Sequence, residues 1–251
     1  MLSLLLLCGC AIDKGTALAA DFNEAWAGTP DVTKIHTTEN NTLPFAGMAT
    51  GTLVLKDGTP ADRVTGLAND LRRYVAEHRT TTGRITAGSL TFTVVADQER
   101  ADEVLALWRS LTADDRMLTG DISDASTKEA TRWRIELTAA ADALALFKDV
   151  VADGEQHRPL SDVMSLRIRA GLGARPGVAV ETDFNGTLPS EAIAAYEAVA
   201  ARYTVVRAFL TPDRASIVVA KDAEQARAHE LAKAAAPGLG ADVKVTSDSG
   251  P

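Results

Sequence analysis

The stretch Val94-Val95-Ala96-Asp97-Gln98-Glu99-Arg100-Ala101 returns, with one inserted residue, as Val218-Val219-Ala220-Lys221-Asp222-Ala223-Glu224-Gln225-Ala226, 124 positions further on. Each copy reads as the end of a strand, a polar turn and the start of a helix. β-branched residues give way to the acidic and amide residues that suit a first helical turn. A second echo keeps the same order. Thr59-Pro60-Ala61-Asp62-Arg63-Val64 resembles Leu188-Pro189-Ser190-Glu191-Ala192-Ile193, and the segments that follow reach Arg73-Tyr74 and Arg202-Tyr203, 129 positions apart. Matching order at similar offsets predicts two copies of one module of roughly 110 to 120 residues, an ordinary domain size.

In the first copy, Gly51–Leu55 reads as a strand, Asp57-Gly58 as a turn and Pro60–Arg79 as a helix. Thr59 is placed to cap that helix, with Pro60 in the first turn where its missing N–H costs nothing. Val64, Leu67, Leu71 and Val75 recur at helical spacing and form a buried stripe. Thr82-Gly83 reads as the end of that segment. Leu90–Val94 alternates with period two, as a half-buried strand does. A helix from Gln98 to about Leu111 and a strand from Met117 to Ile122 complete the copy.

The second copy repeats the plan, with strand Val178–Phe184, helix Pro189–Arg202, strand Val205–Leu210, turn Thr211–Arg214 and strand Ser216–Ala220. Asp222 with Gln225 three residues on makes a capping-box start for the last helix. Pro237-Gly238 stops it and Val243–Thr246 closes the module. A further piece lies between the copies: strand Arg132–Leu137, helix from about Asp142 to Asp153, and strand Asp162–Arg169. Its first-copy counterpart is a helix near Phe22–Trp26 with a strand at Val32–Thr37. The expected fold is α+β: two tandem ferredoxin-like modules of βαββαβ type, with helices on one face of antiparallel sheets. The polar stretch Asp121–Glu129 marks the boundary between a first module at 21–124 and a second at 130–246, with 247–251 as a tail.

Net charge is −8 and 46% of the 251 residues are hydrophobic. That balance describes a globular chain and excludes general nucleic-acid binding, which needs a concentrated basic face. Aromatic residues are only 5% of the chain, giving little support to a carbohydrate-stacking surface. Both cysteines, Cys8 and Cys10, stand at the N-terminal end. Everything after them lacks a disulfide, a thiol nucleophile and a cysteine metal ligand. The chain is long enough to bury roughly 70% of its unfolded surface without such staples.

Residues Leu4–Cys10 read LLLLCGC, an apolar run ending in Leu7-Cys8-Gly9-Cys10. This stretch resembles the lipobox of bacterial lipoproteins. The resemblance implies a signal peptide over 1–9, its true start lying upstream because no Lys or Arg precedes Lys14. It also implies lipidation of Cys10 by a diacylglyceryl group on its sulfur, and a tether over 10–20. Each buried methylene is worth about 0.8 kcal/mol, so one acyl chain holds marginally and two hold stably. No apolar run after Cys10 approaches the roughly 20 residues needed to span a bilayer. The expected partner is therefore a membrane, reached through the anchor on its extracytoplasmic side.

The search for chemistry is nearly empty. His229-Glu230 opens like a zinc-binding HExxH, but Lys233 stands where the second histidine belongs. Gly171-Leu172-Gly173 follows a strand as a dinucleotide loop would, but Pro176 and another strand come next, so no helix N-terminus receives a phosphate. Asp183-Phe184-Asn185-Gly186 lacks the glycine spacing and terminal Glu of a calcium loop and reads as a turn. Asp114-Asp115 also reads as a turn. His36, His78, His157 and His229 show no ligand spacing, and no serine sits in a G-x-S-x-G elbow. No catalytic residue, metal or cofactor is expected.

One constellation stands out. In Arg132-Trp133-Arg134-Ile135-Glu136-Leu137 and in Leu166-Arg167-Ile168-Arg169, apolar and charged residues alternate. If the two strands are neighbours, Arg132, Arg134, Arg167 and Arg169 gather on the open face. Such a group suits a phosphate or carboxylate ligand, for example a lipid headgroup or an anionic wall polymer. The function expected is a non-enzymatic binding or scaffold module at the cell envelope, with an envelope protein or anionic ligand as partner. The alternative is an envelope enzyme, or an enzyme accessory, whose carboxylates converge only in three dimensions.

Overall fold

The computed structural model describes residues 14–43, 46–127, 130–152, 157 and 162–248. Among them the order is α1 (Lys14–Trp26), β1 (Val32–Leu43), β2 (Ala46–Leu55), α2 (Ala61–Glu77), β3 (Thr81–Ala87) and β4 (Leu90–Val94). There follow α3 (Gln98–Thr112), β5 (Met117–Asp124), β6 (Trp133–Ala139), α4 (Ala143–Val151), β7 (Val163–Ala170) and β8 (Gly177–Glu181). The chain ends with α5 (Ser190–Ala200), β9 (Val205–Thr211), β10 (Arg214–Val219), α6 (Asp222–Ala235) and β11 (Val243–Ser247).

The two antiparallel ferredoxin-like modules do not form. The strands instead hydrogen-bond in chain order, β1 through β11, as one mixed sheet. In a ferredoxin-like module a crossover helix skips one place, and a later antiparallel strand fills the gap. Here each helix returns the chain to the adjacent place. The pairs β2–β3, β4–β5, β6–β7, β8–β9 and β10–β11 are therefore parallel. Antiparallel pairs β5–β6, β7–β8 and β9–β10 link successive units, and β1–β2 opens the series. Period-two alternation shows which side of a strand meets the helices and is silent on which strand lies beside it.

The repeating unit is thus one βαβ step of roughly 40 residues. Thr59–Val64 leads into α2 and Leu188–Ile193 into α5, the helices of the first and fourth steps. Val94–Ala101 joins β4 to α3 and Val218–Ala226 joins β10 to α6, in the second and fifth. Offsets of 124 and 129 span three steps, which the sequence reading takes for one large module.

The chain divides into two compact units. One comprises the described residues up to Gly88 with Thr93–Ala101; the other comprises Ser89–Phe92 and everything from Asp102. The polar stretch after Asp121 is crossed by the pairing of β5 with β6.

In the first unit α1 begins at Lys14, inside the stretch read as tether, and packs on β1 and β2. Gly15 N–H donates to Asn41 Oδ1 at 2.8 Å, and a Cβ at Gly47 would stand 2.3 Å from the Gly15 nitrogen. The buried Phe22 ring lies over Gly51 and meets Tyr74 of α2 edge-on, with centroids 5.5 Å apart. The expected stripe Val64, Leu67, Leu71 and Val75 is buried. Thr59 does not cap α2: its hydroxyl donates to Lys56 O, and Pro60 is the N-cap. Strand β3 is an addition to the sequence reading, which ends a segment at Thr82-Gly83. Gly83 occupies a buried position filled by Leu71 and Val75 of α2, so the strand shows a glycine where its pattern needs an apolar residue.

In the second unit one row of directly opposed residues crosses eight strands: Leu90, Gly120, Leu137, Ile168, Val180, Leu210, Ala215 and Val243. Every member except Gly120 is buried. At Gly120 the Leu90 and Leu137 side chains close over the backbone, within 2.6 Å of where a Cβ would stand. Leu144, Leu146, Phe147 and Val150 of α4 are buried, as are Ala192, Ala195 and Val199 of α5. Ala228 and Ala232 of α6 are buried too, and the small residues let α5 and α6 lie side by side. Asp142 caps α4 by accepting from Ala145 N. Asp222 lies in the first turn of α6 rather than at its cap, which is Lys221.

Two glycines separate close approach from chain entropy. At Gly51 a Cβ would meet the Phe22 ring at 2.3 to 2.4 Å. Gly51→Ala is expected to cost about 1–3 kcal/mol by overpacking. Gly66, inside α2, has nothing within 4 Å of its Cβ position, so Gly66→Ala should stabilise by about 0.5–1 kcal/mol. Urea unfolding of both variants checks the pair.

Candidate functional site

The face of the second unit opposite the buried row is built by the alternate residues of the same strands. One line across it reads Asp121, Glu136, Arg167, Glu181, from β5 to β8. The next reads Thr119, Thr138, Arg169, Ala179, and on the other side Ser123, Arg134, Ser165. The neighbour relation assumed between the strands of Arg134 and Arg167 is real: β6 and β7 pair in parallel. Arg134, Arg167 and Arg169 are exposed on this face. Arg132 departs from them, its guanidinium donating to Phe184 O at 3.2 Å.

The register also brings acids among the arginines. Arg167 Nε lies 3.6 Å from Glu181 Oε2, and Arg169 Nε donates to Thr138 Oγ1 at 3.3 Å. Asp121 and Glu136 stand directly opposite one another, a like-charge pair that Arg167 adjoins on the Glu136 side. These groups line a shallow hollow of about 230 Å³. It offers two guanidinium forks, two carboxylates and the hydroxyls of Thr119 and Thr138. Arg132, Thr131, Asp162 and Asn185 line a separate, wider hollow of about 660 Å³. Arg167 and Arg169 therefore line one polar hollow and Arg132 another, while Arg134 is exposed on the same face as the first pair and lines neither.

The sequence reading missed a buried network. His157 is 1% exposed and Asp114 is 3% exposed at its side chain. The ring's Nδ1 lies 3.1 Å from Ser110 Oγ and its Nε2 lies 3.1 Å from Asp114 Oδ2. Arg116 sets its Nε and one terminal nitrogen on Asp114, and donates with the other to Asp149 Oδ2 of α4 at 2.7 Å. The Arg116 hydrogen bonds hold the Asp114 carboxyl down at about 2. Serine, histidine and aspartate in series invite comparison with a catalytic relay. Yet Ser110 Oγ donates to Leu107 O in its own helix, and Asp114 is already engaged by Arg116. The cluster is a clasp that ties residue 157 and α4 to the end of α3. Asp114-Asp115 does lie beyond the helix end as expected, but Asp115 is exposed while the buried Asp114 side chain is held in part by residues more than 30 positions away. Only the nearness of Arg116 hinted at it.

The remaining motifs fall as follows. Asp183 Oδ1 accepts from the backbone of Asn185 and Thr187, closing a turn and lowering its own pKa. His229 is on α6, and Gly171-Leu172-Gly173 forms part of the link between β7 and β8. Among the described residues no group of three or more His, Cys, Asp or Glu side chains is placed to hold a metal ion, and no helix is long and apolar enough to cross a membrane. Cys10 lies outside the described residues. No family model, curated protein or solved structure matches this chain.

Asp114 generates a pH prediction. Its carboxyl titrates at about 2 in the folded chain against 3.8 ordinarily. The associated stability is present above pH 4 and lost as pH falls toward 2. Asp114→Asn should lose about 2 kcal/mol at pH 7, with the gap to the parent chain narrowing between pH 4 and pH 2. Denaturant unfolding across that range reads both effects.

Proposed function

We propose that this protein is a lipid-anchored, extracytoplasmic module that binds or scaffolds without catalysis, and that its working surface is the uncovered face of the sheet. The observation that carries the reading is the asymmetry of that sheet. One face carries a row from β4 to β11 that is buried at every member except Gly120, and the other presents arginines, acids and threonines to solvent. The Leu7-Cys8-Gly9-Cys10 resemblance supplies the anchor, and Cys10 is its acceptor.

The ligand class follows from the hollow around Arg167 and Arg169. Two guanidinium groups bind a phosphate or carboxylate through paired donors. Asp121 and Glu136 weaken the field seen by a plain polyanion and favour a ligand that also carries hydroxyl or ammonium donors. Exposed ion pairs such as Arg167–Glu181 contribute little to stability, so the face is free to exchange partners.

Two measurements test this. Intact mass of the protein from its native envelope should show a diacylglyceryl adduct that Cys10→Ala abolishes; an unmodified polypeptide would remove the anchor. Arg167→Gln with Arg169→Gln should lower retention on an immobilised anionic wall polymer at least tenfold, with the melting temperature unchanged. Equal retention would discard the hollow as the binding site.

A further inference from the structure

The second unit carries different chemistry at the two ends of β8. Beyond its C-terminal end, Phe184 is exposed where acids outnumber cations: Asp183 and Asp213 are close enough to repel and Asp162 lines the neighbouring hollow, against Arg132, which donates to Phe184 O, and Arg214 beside Asp213. Before its N-terminal end runs the loop 171–176, in which Leu172 is fully exposed. Leu118, 45% exposed, reaches within 2.7 Å of where a Cβ of Gly171 would stand, so two aliphatic side chains share this end. The nearby cations are Arg175, exposed in the same loop, and Arg207, which stands directly opposite Gly177. Of the acids at this end, Asp248 lies 3.6 Å from Arg207, Asp142 is occupied as the cap of α4, and Asp115 is exposed just before β5, three residues from Leu118.

We propose that the 171–175 loop is a second membrane contact, with Leu172 entering the acyl boundary and Arg175 and Arg207 holding the phosphates of anionic lipids. A fully exposed leucine flanked by two glycines brings little bulk with it, so the backbone can follow the side chain to the interface. Gly173, at φ +84°, gives the loop a bend that a side chain would strain. One leucine is worth about ten- to a hundredfold in partitioning, and each arginine about fivefold near an anionic surface. Those factors are too small to hold a free protein. They suffice to orient one already tethered, which is how a weak second signal acts beside an acyl anchor. The proposal rests on the anchored reading for its role in the cell, but its test does not need the anchor.

The test uses the full chain with Cys8→Ser and Cys10→Ser, so no lipid is attached, carrying Leu172→Cys or Phe184→Cys labelled with an environment-sensitive dye. Vesicles of phosphatidylglycerol and phosphatidylcholine at 1:1 should at least double the emission at position 172 and shift it to the blue. Pure phosphatidylcholine should not, and the label at 184 should stay unchanged on both. Arg175→Gln with Arg207→Gln, which leaves Arg167 and Arg169 in place, should weaken the response at 172 at least tenfold. No response at 172, an equal response at 184, or an equal response on neutral vesicles would each overturn the proposal. Loss of the adduct in the Cys10 experiment, with the response at 172 intact, would remove the anchor and leave this contact standing.

Discussion

The row Leu90, Gly120, Leu137, Ile168, Val180, Leu210, Ala215, Val243 is the contact on which the second unit depends. It runs across eight strands without changing sides. A shift of one residue in any pairing would turn that strand's apolar set to solvent and its polar set to the helices. Register and hydrophobic pattern therefore enforce one another, and the helices have only one face of the sheet to cover. The same logic appears locally in the first unit, where Gly51 and Gly83 leave room for Phe22 and for Leu71 with Val75. Glycine on the covered face is a packing residue here, taking the ring or leucine that a neighbouring helix supplies.

Building by βαβ steps explains why the repeat is faint. Each step needs only a strand with alternate apolar residues, a helix with an apolar stripe and a returning strand. Many sequences meet those requirements, so neighbouring steps need not look alike. Similarity survives where the chain passes from strand to helix, at Val94–Ala101 and Val218–Ala226, because turn and first-turn chemistry is more restrictive than a strand interior. The match between first and fourth, and second and fifth, steps then mimics a doubling of one large module.

Most elements were legible because they are amphipathic with their own period. The position of α2 follows from helical spacing, those of β4, β6 and β7 from alternation, and the bounds of α6 from Asp222 with Gln225 at one end and Pro237-Gly238 at the other. Two kinds of feature were not. Strand β3 hides behind Gly83, whose buried partner atoms belong to another helix. The outer half of β1, Thr38–Asn41, is polar, and it is ordered by backbone pairing with β2 and by the Asn41 side chain holding Gly15. Strand neighbours were the deeper loss. Nothing in an alternating strand says whether the next crossover skips a place, and with that the ferredoxin-like reading failed in its strand order, its antiparallel sheets and its two modules. At the candidate site, the exposure of Arg134, Arg167 and Arg169 was legible from alternation. The acids beside them were not, since Asp121 and Glu181 arrive from strands whose register no local pattern specifies.

That difference alters the physics of the surface. Four arginines alone would make a field that draws in any polyanion and weakens steeply with salt. Arginines set against Asp121, Glu136 and Glu181 make a short-range pattern, in which attraction depends on placing each ligand charge over the right strand. A sheet of adjacent βαβ steps is suited to display such a pattern. Its helices spend their packing on one face only, so residues on the other can change without disturbing the core. The open face is then where sequence is least constrained by folding.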